Sequence, residues 1–249
     1  MTTLTFLGTG DAFGSGGRAQ SAMLLEYDPG QGVNYRVLLD CGASTLPSLR
    51  AKNLHGADVD AVLLSHFHGD HTVGLPFLLL ENAYGKARKK PLLIIGPQDV
   101  AARMEQLFEA SFPGIRIADL PFPVQFQEAG ETAIPLGPLS ARLYPVDHAV
   151  ESNPHGIRLE TPDGILAYTG DSAWTEQLIP LAEGSDLLVC ECFGYHIEVP
   201  GHMTHQQLLR HQDALRAKRI ICTHLGEEAL AHIDDFEFKV ANDGMQVHL

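Results

Sequence analysis

In residues 61–71, "AVLLSHFHGDH", an uninterrupted apolar run ends in three histidines and an aspartate. A strand that is apolar at every position needs cover on both faces, so it belongs inside a sheet sandwiched between other layers. The polar cluster then falls on the loop at that strand's end, where Gly69 lets the backbone turn sharply. Imidazoles this dense need something to hold. Their nitrogens, with a carboxylate oxygen, suit zinc and other borderline first-row ions. Four ligands packed so closely do not all reach one ion with good tetrahedral geometry, so two neighbouring ions are the easier solution.

The same pattern recurs along the chain. "LTFLG" reads as a first strand before the glycine-rich turn "GTGDAFGSGG". "AMLLEY" and "YRVLLDCG" read as paired strands joined through a Pro-Gly turn. "GLPFLLLENAYG" and "QDVAARMEQLFEAS" read as helices, the second with Val100, Met104, Leu107 and Phe108 at helical spacing. "KPLLIIGP" is a further buried strand, and "GIRLETPDGILAYTGD" a hairpin turning at "PDG". There follow a helix in "AWTEQLIPLAEG", a strand in "DLLVCECF", a helix in "THQQLLRHQDALRAK" and a strand in "RIICTHLG". Two rounds of strands and helices, each with antiparallel pieces, predict a layered α/β sandwich of two packed sheets with helices outside. Residues 1–249 are expected to form a single domain of two α/β halves, with a seam in the Pro- and Gly-rich stretch 130–138.

Further candidate ligands sit where other buried strands end: His148 after "ARLYPVD", Asp171 after "ILAYTG" and His224 after "RIICT". With these in place the chain resembles the metallo-β-lactamase-fold hydrolases, whose His-X-His-X-Asp-His motif "HFHGDH" matches in full. The resemblance runs from "FLGTGDAFGSGG" through "LLDCG" to "THLG". It implies a four-layered αββα sandwich with two mixed sheets face to face. It also implies two divalent metal ions, zinc by preference and manganese as the alternative. One ion would take His66, His68 and His148, the other Asp70, His71 and His224, with Asp171 bridging. Asp40, in "LLDCG", matches an aspartate that supports the ligands from behind, the outer partner that fixes a histidine tautomer. The implied reaction is hydrolysis by a hydroxide held between the ions, with Asp70 counted in the catalytic set.

"GHMTHQQLLRHQDALRAK" resembles the Gly-His-Ser-Thr segment of the tRNase Z branch and its small phosphodiesterase relatives. Thr204 would cap the helix that follows. The resemblance gives His202 the task of neutralising the phosphoryl group or protonating the leaving oxygen, and Glu191 the task of orienting His202. Two features of true tRNase Z are absent. No long basic arm fits between His148 and Asp171, which are only 23 positions apart, and "GSGGRAQSAM" replaces the Pro-X-Lys-X-Arg-Asn segment. Composition points the same way. With 31 acidic against 17 basic residues the formal charge is −14, which repels polyanions and disfavours nucleic acid as partner. The expected substrate is a small molecule, with a phosphodiester first and a lactone, carboxylic ester or thioester as the rival. Outside hydrolysis, an iron-binding oxidoreductase and a non-catalytic binding protein remain the alternatives, disfavoured because Asp70 and His71 are both kept.

The N-terminus lacks a basic segment followed by an apolar one, and no run approaches about 18 apolar residues, so neither a signal peptide nor a membrane span is expected. Cys41, Cys190, Cys192 and Cys222 form no metal-knuckle pattern and are expected as buried, reduced thiols of a cytoplasmic protein. By analogy with relatives, a homodimer is a further expectation. Phe13, His155 and His196 lie in loops flanking the expected site and are candidates to line its pocket. His55, His205, His211, His232 and His248 are expected in solvent or satisfied locally, and "KARKK" (86–90) as a solvated helix end.

Overall fold

The structure is a computed structural model that describes residues 1–30 and 35–249. The first sheet contains β1 (Thr2–Gly8), β2 (Ala22–Tyr27), β3 (Tyr35–Leu39), β4 (Ala61–Leu63), β5 (Leu92–Gly96), β6 (Val124–Glu128) and β14 (Gln246–His248). The second contains β7 (Ile134–Leu136), β8 (Leu139–Pro145), β9 (His155–Thr161), β10 (Gly164–Tyr168), β11 (Leu187–Glu191), β12 (Ile220–Thr223) and β13 (Lys239–Val240). Their orders are β14-β1-β2-β3-β4-β5-β6 and β13-β12-β11-β10-β9-β8-β7. Both sheets are mixed: β3 to β6 and β10 to β13 pair in parallel, and the remaining pairs are antiparallel. The chain passes from one sheet to the other between Glu128 and Ile134.

Side chains alternate across each strand, and this builds four layers. Leu4, Phe6, Val37, Leu39 and Leu63 of the first sheet meet Leu143, Ile157, Leu159, Leu166 and Val189 of the second in one buried core. Their strand neighbours Leu38, Val62 and Ile94 face outward onto α1 (Thr45–Ala51), α3 (Leu75–Tyr84) and α4 (Val100–Ser111). On the far side, Ala167, Leu188, Cys190 and Cys222 are covered by α5 (Leu178–Ala182), α6 (His205–Leu215) and α7 (Glu227–Ala231). The short α2 (Gly69–Thr72) lies inside the histidine motif. The architecture is the αββα sandwich expected from the sequence.

Several local expectations need correction. The helix read in "AWTEQLIPLAEG" is confined to α5. Ahead of it, Ala173 N–H donates to the Asp147 carbonyl at 2.8 Å, which holds the backbone extended, and Gly184 at φ +68° stops the chain beyond it. "KARKK" is not wholly solvated. Arg88 is buried, and its guanidinium donates to the carbonyls of Val59, Lys90 and Pro91 at 2.6–2.8 Å. The turn between β2 and β3 falls partly on residues 31–34, outside the described residues. The four cysteines are buried, with free thiols. Among the described residues no helix is long and apolar enough to cross a membrane.

Leu159 sits wholly buried between the sheets. Leu159→Ala should lower unfolding free energy by about 2–5 kcal/mol in urea titrations.

Candidate metal centre

The ends of β3, β4, β8, β10, β11 and β12 deliver Asp40, His66, His148, Asp171, Glu191 and His224 to one edge of the sandwich. This is the edge at which parallel sheets commonly carry their sites, because loops leaving the strands' carboxyl ends converge there. Two of these residues, Asp40 at φ +58° and His224 at φ +59°, hold left-handed backbone conformations that cost a non-glycine residue about 1–3 kcal/mol. The fold meets that cost with Asp40 N–H on the Leu63 carbonyl at 2.8 Å and His224 N–H on the Thr9 carbonyl at 3.0 Å. Gly42 is needed for closeness: a Cβ there would lie 2.3 Å from the Asp70 carbonyl oxygen.

Four groups of possible ligand atoms each lie within 4.8 Å: His66, His68 and His148; Asp70, His71, Asp171 and His224; and two that take in His202, with His148 and Asp171 and with Glu191 and His224. The first two hold the seven residues expected from the sequence. Asp171 lies between them, its Oδ1 3.3 Å from His71 Nε2 and its Oδ2 3.3 Å from His224 Nε2, 3.8 Å from His66 Nε2 and 4.0 Å from His148 Nε2. The outer side of each ring explains how it is aimed. His71 donates from Nδ1 to Asp40 Oδ2 at 2.7 Å, His66 from Nδ1 to Ser65 Oγ at 3.0 Å, and His148 from Nδ1 to the Gly201 carbonyl at 2.7 Å. All three therefore aim Nε2 at the cluster, the nitrogen a metal would take. Nε2 of His66 and of His71 is buried without a hydrogen-bond partner, as is Oδ1 of Asp171. His148 Nε2 lies 3.0 Å from His68 Nδ1, a pair of nitrogens that only a shared proton or a cation reconciles. The residues present fit divalent metal ions.

Electrostatics agree. Burial alone pushes the His66 imidazole well below its usual value, and the neighbouring His71 pushes the same way. Burial would raise Asp70 and Asp171, but surrounding imidazoles outweigh it and hold both carboxyls well below the usual carboxylate range. Burial would lower His71 and His224, but Asp171 with Asp40 raises the first well above its usual value, and Asp171 with Asp70 raises the second to about 9. Buried carboxylates are thus drawing protons onto imidazoles, the role a divalent ion would take over.

A pocket of about 180 Å³ opens over this cluster, lined by His68, Asp70, His148, Asp171, His202 and His224 together with Ala12, Phe13, Phe193 and Val199. His202 donates from Nδ1 to Glu191 Oε1 at 2.9 Å. The buried Glu191 is itself fixed by N–H donors from Ser172 at 3.0 Å and Phe193 at 2.9 Å. Thr204 caps α6 reciprocally with Gln207, at 3.2 and 3.1 Å, which locks the chain two residues after His202. Phe13, 84% exposed, stands at the pocket rim. His155 and His196 are not among the lining residues. His155 turns its Nδ1 back to the Asn153 carbonyl at 3.0 Å, and His196 packs against Tyr195 and His232. His205 is wholly buried rather than solvent-facing, stacked on Tyr195 with its Nε2 2.8 Å from Glu237.

Sequence reasoning passed over Ser65, Gly201 and Tyr168, each within a stretch it had read. Tyr168 donates to Asp40 Oδ2 at 2.9 Å. Its signal is position: on β10 it precedes Asp171 by three residues and shares the inward face with Leu166.

The family described as "Anti-Pycsar protein Apyc1" matches residues 2–242. The chain is 29% identical over 234 residues to a protein named Ribonuclease Z from Ignicoccus hospitalis, covering 74% of this chain and 73% of that one. Other curated relatives are matched over 29% to 69% of their own length. Among solved structures, the metallo-β-lactamase fold protein YhfI from Bacillus subtilis superposes with a TM-score of 0.78 at 23% identity, covering 100% of both chains. A diphosphatase from the PhnP family superposes with a TM-score of 0.77 at 21% identity, covering 100% of this chain and 98% of that one.

Asp171→Ala removes the one carboxylate that faces both groups of imidazoles. Elemental analysis after zinc loading and desalting should find the variant's metal content reduced by half or more relative to wild type.

Proposed function

We propose, for a chain that belongs to the family described as Anti-Pycsar protein Apyc1 and is a metal-dependent hydrolase of the metallo-β-lactamase fold, that it cleaves a phosphodiester in a small substrate with two divalent ions bound. His66, His68 and His148 would hold one ion, and Asp70, His71 and His224 the other, with Asp171 shared. When bound, the ions supply Lewis-acid activation of water and of the phosphoryl oxygen.

The observation that carries the reading beyond metal-dependent hydrolysis is the His202–Glu191 pair. Glu191 accepts a hydrogen bond from His202 Nδ1, which leaves Nε2 for the pocket. The ring is held between neighbours, with His148 and Phe193 each 4.8 Å away and His224 5.8 Å away, centroid to centroid. Burial would lower the pKa of His202, but the hydrogen bond and charge of Glu191 outweigh it and raise it above the usual 6.5. An imidazolium at this place suits a substrate that brings negative charge and a poor leaving oxygen: it neutralises the first and protonates the second. A lactone or carboxylic ester needs neither as strongly.

Size and charge favour a small diester over an RNA. The formal charge is −14. The segment between His148 and Asp171 is taken up by a short turn and the β9–β10 hairpin, which support no basic arm. The name Ribonuclease Z on curated relatives favours an RNA phosphodiester as the second reading.

One panel separates these: an alkyl phosphodiester, bis(p-nitrophenyl) phosphate, a set of lactones and a structured RNA. The two small diesters should turn over, and turnover of lactones or of RNA alone would sink the reading. His202→Ala should cost the alkyl diester about 10²-fold or more in kcat, and the p-nitrophenyl diester less, because p-nitrophenolate leaves without a proton. The pH profile gives a second check. Activity that needs the imidazolium falls as pH rises through the His202 pKa. Glu191→Gln removes the charge that raises that pKa, so the same fall should move to lower pH.

A further inference from the structure

We propose that Tyr168 is the positioning residue that keeps the two sheets in register beneath the metal centre, acting through Asp40 on His71. The inference rests on the reading that Asp70, His71, Asp171 and His224 hold an ion.

Asp40 is a fully buried carboxylate at the end of β3, and four donors converge on it. Ser65 N–H reaches Oδ1 at 2.8 Å, and Ser65 Oγ, His71 Nδ1 and Tyr168 Oη reach Oδ2 at 2.9, 2.7 and 2.9 Å. Ser65 and His71 belong to the loop that follows β4, in the same sheet as Asp40. Tyr168 alone among the four comes from the second sheet, where it pairs with Ile157 of β9 and Val189 of β11.

These contacts close a circuit. Tyr168 holds Asp40, Asp40 holds Nδ1 of His71, and Nε2 of His71 faces Oδ1 of Asp171 at 3.3 Å. Asp171 follows Tyr168 by three residues, so the strand that delivers the shared carboxylate also grips the support of a ligand on the opposite sheet. Packing alone does not call for the phenol: Phe would fill the same inter-sheet volume. A buried hydroxyl is costly unless it is bonded, and here its bond goes to the group that aims a ligand. Without that hydroxyl, Asp40 keeps its burial, loses a donor and gains freedom to rotate, and the direction of His71 Nε2 loosens with it.

The test is zinc binding by the metal-free full-length chain, measured in competition with a chromophoric chelator, for wild type, Tyr168→Phe, Asp40→Asn, the double variant and Leu159→Ala. Wild type should bind two ions per chain. Tyr168→Phe should weaken one of the two binding steps about tenfold and leave the other unchanged, as expected for an outer partner of a ligand. Asp40→Asn should weaken the same step, and adding Tyr168→Phe to it should weaken that step little further. Leu159→Ala, which disturbs the same inter-sheet core without touching Asp40, should leave both steps at wild-type affinity. Three results overturn the inference: Tyr168→Phe binding both ions as wild type does, Leu159→Ala weakening the same step equally, or additive losses in the double variant. Wild type binding no zinc would instead overturn the metal reading itself, and the inference with it.

Discussion

Buried imidazoles and carboxylates are tolerated at the edge of this sandwich because His66, His71 and His148 are held from behind, whereas His224 Nδ1 is buried without a partner. The low-dielectric interior penalises every unpaired polar atom, so such a cluster is favoured where most of its outward atoms are satisfied and its inward atoms can meet a cation. The bonds from His71 to Asp40, from His66 to Ser65 and from His148 to the Gly201 carbonyl meet the first condition. The unpartnered Nε2 atoms of His66 and His71 express the second. The left-handed backbones at Asp40 and His224 and the glycine forced at position 42 are local costs accepted to hold that arrangement.

The cluster also explains why the molecule needs two sheets rather than one. The candidate ligands on the "HFHGDH" loop come from the first sheet, whereas His148, Asp171 and His224 follow strands of the second. Metal ligands must be placed to within a few tenths of an ångström, and residues on separate sheets meet that tolerance only if the sheets cannot slide. The inter-sheet core of Leu, Ile and Val supplies bulk cohesion but little direction. Direction comes from polar bonds that cross between the layers, such as the one from Tyr168 to Asp40.

The layers were legible in the sequence because they depend on patterning. The continuous apolar run "AVLL" predicted a strand covered on both faces, and Leu63 and Val62 do pack into the cores on opposite sides of their sheet. Asp40, His66, His148, Asp171 and His224 were legible because each sits one to three positions after such a run, and His68, Asp70 and His71 because they share the loop that His66 opens. What stayed hidden depends on neighbours distant in sequence. Arg88 looks like part of a basic surface run until its guanidinium is found on the Val59 carbonyl, 29 residues earlier in the chain. His205 looks like a helix-start histidine until Tyr195, ten residues earlier, is found stacked on it. A helix read through 173–184 shrinks because Asp147, from another loop, claims the backbone of Ala173.

Reaction type and substrate are therefore written at different places and with different legibility. Hydrolysis is tied to residues that must meet an ion, and ions accept few chemistries and few geometries, so a short motif is enough to betray them. A substrate would be met by the rest of the pocket lining, here Ala12, Phe13, Phe193 and Val199. Such residues look like any loop or core residue in a sequence, because apolar contact makes no demand on spacing. His202 lies between the two regimes. Its type and its place before a capped helix are visible in the sequence, but its charge is not. Its pKa is raised chiefly by Glu191, eleven residues earlier at the end of β11, buried and pinned by two backbone N–H groups so that its oxygen meets Nδ1. The environment of His202 is thus set by a long-range pair, which is why the fold and the cluster are easier to read from sequence than the pocket that would select a substrate.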